Sequence, residues 1–133
     1  MRANILFHVA QRRVECREVV LTAPYKGEVL IRSRCSAISP GTEAMIFSGA
    51  FPKNAALDAS IESLRGDFAY PFSYGYALVG EVSATGPGVD QDLIGKTVFA
   101  FHPHQDVALV SVANCHRVPD GVTPEAALFL PQV

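Results

Sequence analysis

The sequence predicts a mainly β fold, a strand-rich, closed sheet with a few short helices. Three observations lead there. Runs of β-branched and aliphatic residues recur, as in NILFHV (4–9) and VECREVVL (14–21). Glycine and proline punctuate them at Pro24 to Gly27, Gly86-Pro87-Gly88 and Gly95-Lys96. Apolar residues at helical spacing are confined to short stretches.

The elements follow in chain order. Asn4 to Val9 and Val14 to Leu21 read as two strands, and Glu28 to Ile38 as a long third one. On that strand Cys35 alternates with Ile31 and Ala37, which predicts a buried thiol acting as a small hydrophobe. Ser39-Pro40-Gly41 stops the strand. Thr42 then suits a helix N-cap, with Glu43 in the first turn, and the short helix ends near Gly49. Leu57, Ile61 and Leu64 repeat at helical spacing, which predicts a second short helix after Asp58. Strands return at Tyr74 to Ala84, Thr97 to Phe101 and Asp106 to Val112. Thr123-Pro124-Glu125 has the order of a helix start: a cap, a proline at the first position and an acid in the first turn. Ala126 to Leu130 continues it, and Pro131 interrupts it.

The bulk numbers narrow the class. The 133 residues are 49% hydrophobic, enough for one domain (1–133) with a proper core. Charged residues make up 18% and the net charge is −2, so no nucleic-acid or anionic-membrane surface is expected. Arg12-Arg13 and Arg32/Arg34 are too sparse for one. Cys16, Cys35 and Cys115 form neither a disulfide framework nor a C-x-x-C zinc pattern, and they fit reduced thiols in the cytoplasm. The apolar start is too short, and too soon followed by Gln11-Arg12-Arg13, for a signal peptide or a membrane span.

One stretch carries possible chemistry by itself. In FHPHQD (101–106), alternate side chains of an extended chain would share a face. His102, His104 and Asp106 would then converge, and three such groups can hold zinc with an open position. His116 is the other possible ligand. The same histidines also suit a hydrogen-bonded loop, or a proton relay facing a substrate. His8 and His116 carry no motif and read as structural.

Four further stretches occur in a telling order: GEVLIRSRCSAI (27–38), SYGYALVGEVSATGPGV (73–89), LIGKTVFAF (93–101) and VPDGVTPEAALFLP (118–131). Together they resemble the N-terminal domain of the medium-chain dehydrogenase/reductase superfamily. The match covers nearly the whole chain except 50–70. It implies a GroES-like partly open β-barrel, the substrate-side domain of an NAD(P)-dependent oxidoreductase. It also implies a Rossmann cofactor domain absent from this chain, supplied by the same parent chain or a separate one. No G-x-G-x-x-G stands between a strand and a helix here, so the 133 residues alone are expected to bind no nicotinamide and to be inactive.

Zinc-dependent members carry a cysteine after the long strand, then Thr or Ser and an acid, and a Gly-His-Glu before the next strand. This chain has Ser39-Pro40-Gly41-Thr42-Glu43 and Gly75-Tyr76-Ala77 there. The resemblance therefore implies an enzyme without catalytic zinc, closer to the quinone-reductase branch, whose Asn-Pro resembles Ser39-Pro40. The Ser-Pro-Gly-Thr-Glu run also resembles a branch that includes a bacteriochlorophyllide dehydrogenase. Hydride would pass between nicotinamide and a carbonyl, alcohol or enone. Thr42 matches the position whose hydroxyl meets the substrate oxygen, Glu43 would orient a site group, and Tyr76 would donate a proton. Ser39, His102 and His104 would line the pocket. Two alternatives stand beside this reading: a non-catalytic β-barrel module for binding or assembly, and a metal-dependent enzyme using His102 and His104. A small molecule is the expected partner, and residues 124–133, normally covered by the second domain, would favour self-association.

Overall fold

A computed structural model describes residues 1–50 and 68–130. The described chain forms two antiparallel sheets that curl into a half-barrel, with two short helices. The predicted helix after Asp58 lies outside the described residues.

The smaller sheet has the order β2-β1-β4, from β1 (Arg2–Ala10), β2 (Arg13–Val20) and β4 (Phe72–Ser73). Its hairpin turns at Arg12, which takes a positive φ of 57°. The larger sheet has the order β7-β3-β5-β6-β8. It is built from β3 (Glu28–Ser36), β5 (Leu78–Thr85), β6 (Thr97–Ala100), β7 (Val107–Ser111) and β8 (Cys115–Arg117). Strand β3 sits between β5 and β7, so both of its edges are paired, and its two faces pack into different clusters. Val29 and Ile31 pack with Leu78, Val82, Val98 and Val110, while Leu30 faces Ala3 and Val107. This explains why β3 reads as a continuous apolar run at its start.

The FHPHQD segment is the seam between the sheets. Ile5 bridges Gln105, Leu6 N–H donates to the His104 carbonyl (3.1 Å), and Asp106 N–H donates to the Asn4 carbonyl (3.1 Å). On the other side Ser33 N–H donates to the Asp106 carbonyl (2.8 Å). The segment therefore ties β1 to β3, and its side chains are held by backbone on both flanks.

Several boundaries differ from the sequence expectation. The long strand ends at Ser36, and the N-cap position of α1 (Pro40–Ser48) is Ser39, without a side-chain cap bond, not Thr42. Proline lacks the N–H that a first helical residue leaves unpaired, so Pro40 takes that position and Thr42 falls inside the first turn. Gly49 closes the helix in the left-handed conformation (φ 75°), as expected. The strand expected from Tyr74 begins only at Leu78, because Gly75 has a φ of 140° that breaks the pleat. Cys35 is half-buried, and an irregular register between Ser33 and Cys35 moves it off the face of Ile31. It packs instead beside Ala77, Val79 and Phe99. Burial, and then the charge of Glu125, raise its pKa.

At the end of the described chain, α2 (Pro124–Ala127) starts as expected, with Thr123 Oγ1 accepting from Ala126 N–H (3.2 Å). The helix stops at Ala127 and does not continue to Leu130. Ala127 is fully buried, while Phe129 and Leu130 are exposed. Among the described residues no helix is long and apolar enough to cross a membrane.

Candidate functional site

Helix α1 follows the end of β3 and places Glu43 against His104. Both are buried, 6% and 8% exposed. His104 Nε2–H donates to Glu43 Oε1, and the second Glu43 oxygen accepts the Ser39 N–H. Each carboxylate oxygen thus accepts one hydrogen bond, one from a side chain and one from a backbone group. The other imidazole nitrogen, Nδ1, lies 2.7 Å from Ser36 Oγ. A hydroxyl donates or accepts, so Ser36 satisfies the neutral ring and the cationic ring alike. The result is a three-residue chain, Ser36 to His104 to Glu43, drawn from β3, the seam and α1.

Gly75 completes the enclosure. A Cβ there would lie 2.9 Å from both Cδ2 and Nε2 of His104. His104 therefore touches the Gly75-Tyr76-Ala77 stretch while it bonds the Ser39–Glu43 stretch. The two regions singled out in the sequence are 32 positions apart at their glutamate and glycine, and a residue from a third region joins them.

The expected convergence of His102, His104 and Asp106 does not occur. The segment is bent, not extended, so alternate side chains do not share a face. Asp106 is exposed and accepts from Asn4 N–H (2.7 Å) and Asn4 Nδ2 (2.8 Å). Burial alone would raise its pKa, but these hydrogen bonds outweigh it and hold the carboxyl below its usual value. His102 is buried and its Nδ1–H donates to the Pro103 carbonyl (3.3 Å). Burial lowers the His102 pKa, and this bond opposes it. His116 is exposed and packs edge-on against Phe101 (6.1 Å between rings). Among the described residues no three His, Cys, Asp or Glu side chains form a cluster able to hold a metal.

The other expected site residues are spread out. Thr42 is half-buried in the first turn of α1, next to Glu43. Ser39 contributes its backbone N–H. Tyr76 is half-buried between the aromatic group of Phe68, Phe72 and Tyr74 and the apolar group of Val79, Phe99 and Val118.

His8 is the residue that sequence reasoning missed. It is 5% exposed, stacks on Phe72 (5.2 Å, 20°), and shares a cleft with Glu43 and His104. Burial pushes its pKa down; the Glu43 charge opposes this and His104 adds to it. The cleft holds about 340 Å³. Its helical wall is Pro40, Glu43, Ala44 and Phe47, one stripe of α1, and Thr42 lies off that stripe. Its other walls are Leu6, His8 and Val14 of the hairpin, with Ile38. Nothing local in the sequence pairs His8 with residue 104. A second cleft of about 410 Å³ lies at the far end, lined by Phe99, Phe101, His116, Arg117, Pro119 and Leu130.

No family model and no curated protein matches the chain. Solved structures do match in fold. 2R,3R-butanediol dehydrogenase from Bacillus subtilis superposes with a TM-score of 0.75 at 14% identity, over 96% of this chain and 43% of that one. Acetophenone reductase from Geotrichum candidum, solved with NAD, gives 0.69 at 21% identity over 96% and 43%. Quinone oxidoreductase from Pseudomonas syringae gives 0.67 at 21% identity over 98% and 37%. The chain thus has the fold of roughly two fifths of such dehydrogenases and reductases, and at these identities the likeness shows the fold alone.

Proposed function

We propose that this chain is the substrate-side domain of a medium-chain dehydrogenase/reductase, working with a separate nicotinamide-binding domain and without catalytic zinc. The observation that carries the reading is the position of His104, on a fold shared with dehydrogenases and reductases. It is locked to Glu43 and pressed against Gly75, between the two stretches where the zinc-dependent members keep metal ligands. Those stretches hold Pro40 with Thr42, and Tyr76 with Ala77, and none of these side chains is a usual zinc ligand. Both His104 nitrogens are already engaged inside the chain. The residues present do not fit the metal, and no step runs through it.

The chemistry then divides simply. A bound nicotinamide would supply or accept hydride. This chain would bind the carbonyl or alcohol, hold its oxygen and manage one proton. Thr42 and Tyr76 are the groups assigned to the substrate oxygen. Glu43 acts through His104, since both its oxygens are occupied, and is a positioning residue. Ser36 gives the imidazole a partner in either protonation state. Ser39 fixes Glu43 through its backbone, and His102 supports the seam from its buried position. The exposed Phe129 and Leu130, beside the second cleft, form the surface we assign to the cofactor domain, or to a second copy when that domain is missing.

The test is turnover. NADH and NADPH oxidation is followed with ketones, enones and quinones, using the chain together with whatever its reading frame encodes after Val133. Carbonyl-dependent oxidation in protein holding far less than about one zinc per chain supports the reading. No oxidation with either nucleotide favours the non-catalytic module. Activity that tracks a stoichiometric metal, and is lost on its removal, restores the metal-dependent alternative.

A further inference from the structure

The smaller sheet ends in a long open edge. Among the described residues β2 has β1 on one side and no strand on the other. The bonds of β1 show which groups lie on that edge. Asn4 and Leu6 turn their main chain toward the seam, since Asp106 N–H donates to Asn4 and Leu6 N–H donates to His104. Their opposite residues on β2 are Glu18 and Cys16. In an antiparallel ladder, residues opposite each other in such a pair both point their N–H and C=O groups outward. By the same alternation Val14, Cys16, Glu18 and Val20 present main-chain groups on the open edge. Leu21, one step out of that phase, donates inward to the Met1 carbonyl (2.8 Å), as the alternation requires.

Open edges are commonly blunted by proline, a bulge, a very short strand or lysines. Strand β2 has none of these. Arg13–Val20 contains no proline, glycine or lysine, and its register with β1 is unbroken from Val20 opposite Arg2 to Val14 opposite His8. Its charges alternate in sign instead. Arg13, Glu15 and Arg17 follow one another on one face, with Glu15 bound to both arginines at 3.0 Å. On the other face Val14 and Cys16 are exposed, and Val20 is exposed by 75%.

We infer that β2 is a docking edge for β2 of a second copy of this chain, paired antiparallel about a two-fold axis at Cys16. Only outward-facing residues exchange main-chain hydrogen bonds across the axis, so the register moves in fixed steps. Centring on Cys16 sets Glu15 opposite Arg17 of the second copy, and Arg17 opposite its Glu15, and overlaps Arg13 to Val19. Centring on Glu15 sets Glu15 against Glu15 and Arg13 against Arg17. Centring on Arg17 sets Arg17 against Arg17. Like charges directly opposite destabilise a strand pair, and opposite charges support it. Centres farther out overlap less of the strand. The register at Cys16 also sets Val14 diagonal to Val20 of the second copy, which covers exposed apolar surface on the other face. An edge of this length buries a small area, so a dissociation constant of about 10–100 µM is expected. The edge uses neither Phe129 nor Leu130, and it needs neither cofactor nor substrate.

The test is sedimentation velocity of the 133-residue chain, from about 1 µM to about 1 mM, on the parent and on Glu15→Arg and Arg17→Glu. The parent should show a monomer–dimer equilibrium that weakens with added salt. Each reversal sets like charges opposite each other twice across the axis, and should weaken association at least about tenfold. Mixed in equal amounts, the two variants should associate as well as the parent, because each supplies the charges that the other lacks. Circular dichroism should match the parent in both. A short bismaleimide reads the register with no change of charge. It should join Cys16 to Cys16, whose Cα atoms are about 5.5 Å apart in such a pair, and Cys16→Ser should remove the crosslink and leave the dimer. A parent chain that stays monomeric at about 1 mM would overturn the inference. So would association that neither reversal weakens, which would point to the exposed Phe129 and Leu130. Folded variants that stay apart when mixed, or a crosslink that passes through Cys35 or Cys115, would do the same.

Discussion

Glu43→Ala should destabilise this domain substantially, because Glu43 is buried on α1. The substitution strands two donors, His104 Nε2–H and Ser39 N–H. Each buried donor left unpaired costs about 1–3 kcal/mol. The adjoining cleft lets water reach part of the gap, which keeps the sum toward the lower half of that range. We expect about 3 kcal/mol, at the low end of the 3–5 kcal/mol typical when one partner of a buried pair is removed. For a domain of this size that is a lowering of the melting temperature by about 10 °C. Urea unfolding at pH 7.5, where linear extrapolation applies, reads it as a lower midpoint with an unchanged slope. Glu43→Gln keeps the shape and one acceptor oxygen and should lose about 1–2 kcal/mol. A cycle with His104→Ala should return a coupling of about 2 kcal/mol, because the two side chains share one bond. Glu43→Ala within about 0.5 kcal/mol of the parent, or zero coupling to His104, would mean that the pair is not formed in solution.

Three other outcomes follow from the same geometry. His8 and His102 both have lowered pKa values, so the unfolded chain takes up protons first as the pH drops below about 6.5. Stability should therefore fall from about pH 7 down to the lowered native values and level off beneath them, with a slope of at most about 1.4 kcal/mol per pH unit for each group; His8→Phe and His102→Gln should each flatten the urea-midpoint profile, and an unaltered profile in both would refute this. Gly75→Ala combines a φ of 140° with a Cβ 2.9 Å from the His104 ring; a loss of about 3 kcal/mol is expected, with the His104 ring resonances shifted, and a well-folded variant with unmoved resonances would contradict the packing. Thr123→Ala removes the cap of α2 and should cost about 1 kcal/mol in a melting experiment, whereas a neutral result would show that the buried Ala127 anchors this turn by itself.

Local signals in the sequence account for the elements whose cause is local. The β1–β2 hairpin, the apolar half of β3, the Gly49 end of α1 and the Thr123 cap all rest on residues within a few positions of one another. The misplacements share a different cause. Gly75 breaks a strand because His104, 29 positions on, presses against it, and alternation along Tyr74 to Ala84 cannot reveal that. Thr42 has the chemistry of a cap, but Pro40 fits the first helical position and shifts the start by three residues. The irregular register at Ser33 and Cys35 carries no composition signal of its own. The candidate site was half legible: Glu43 and His104 stood out as residue types, while their pairing spans 61 positions and the contribution of Ser36 spans 68. His8 was dismissed for lack of a motif, and only the folded hairpin brings it to the cleft.

The role proposed for His104, held by Glu43, is in carbonyl–alcohol interconversion. The most direct measurement is kcat against pH for His104→Gln, in protein that carries the cofactor domain and keeps its native circular dichroism. Glutamine preserves size and hydrogen bonding but cannot exchange a proton near neutrality. Expected are a loss of about 10²-fold in kcat, an unchanged dissociation constant for the nicotinamide, and a pH profile flatter than the parent's. Near-native turnover with the parent's pH profile would contradict it and leave His104 as a brace between two sheets.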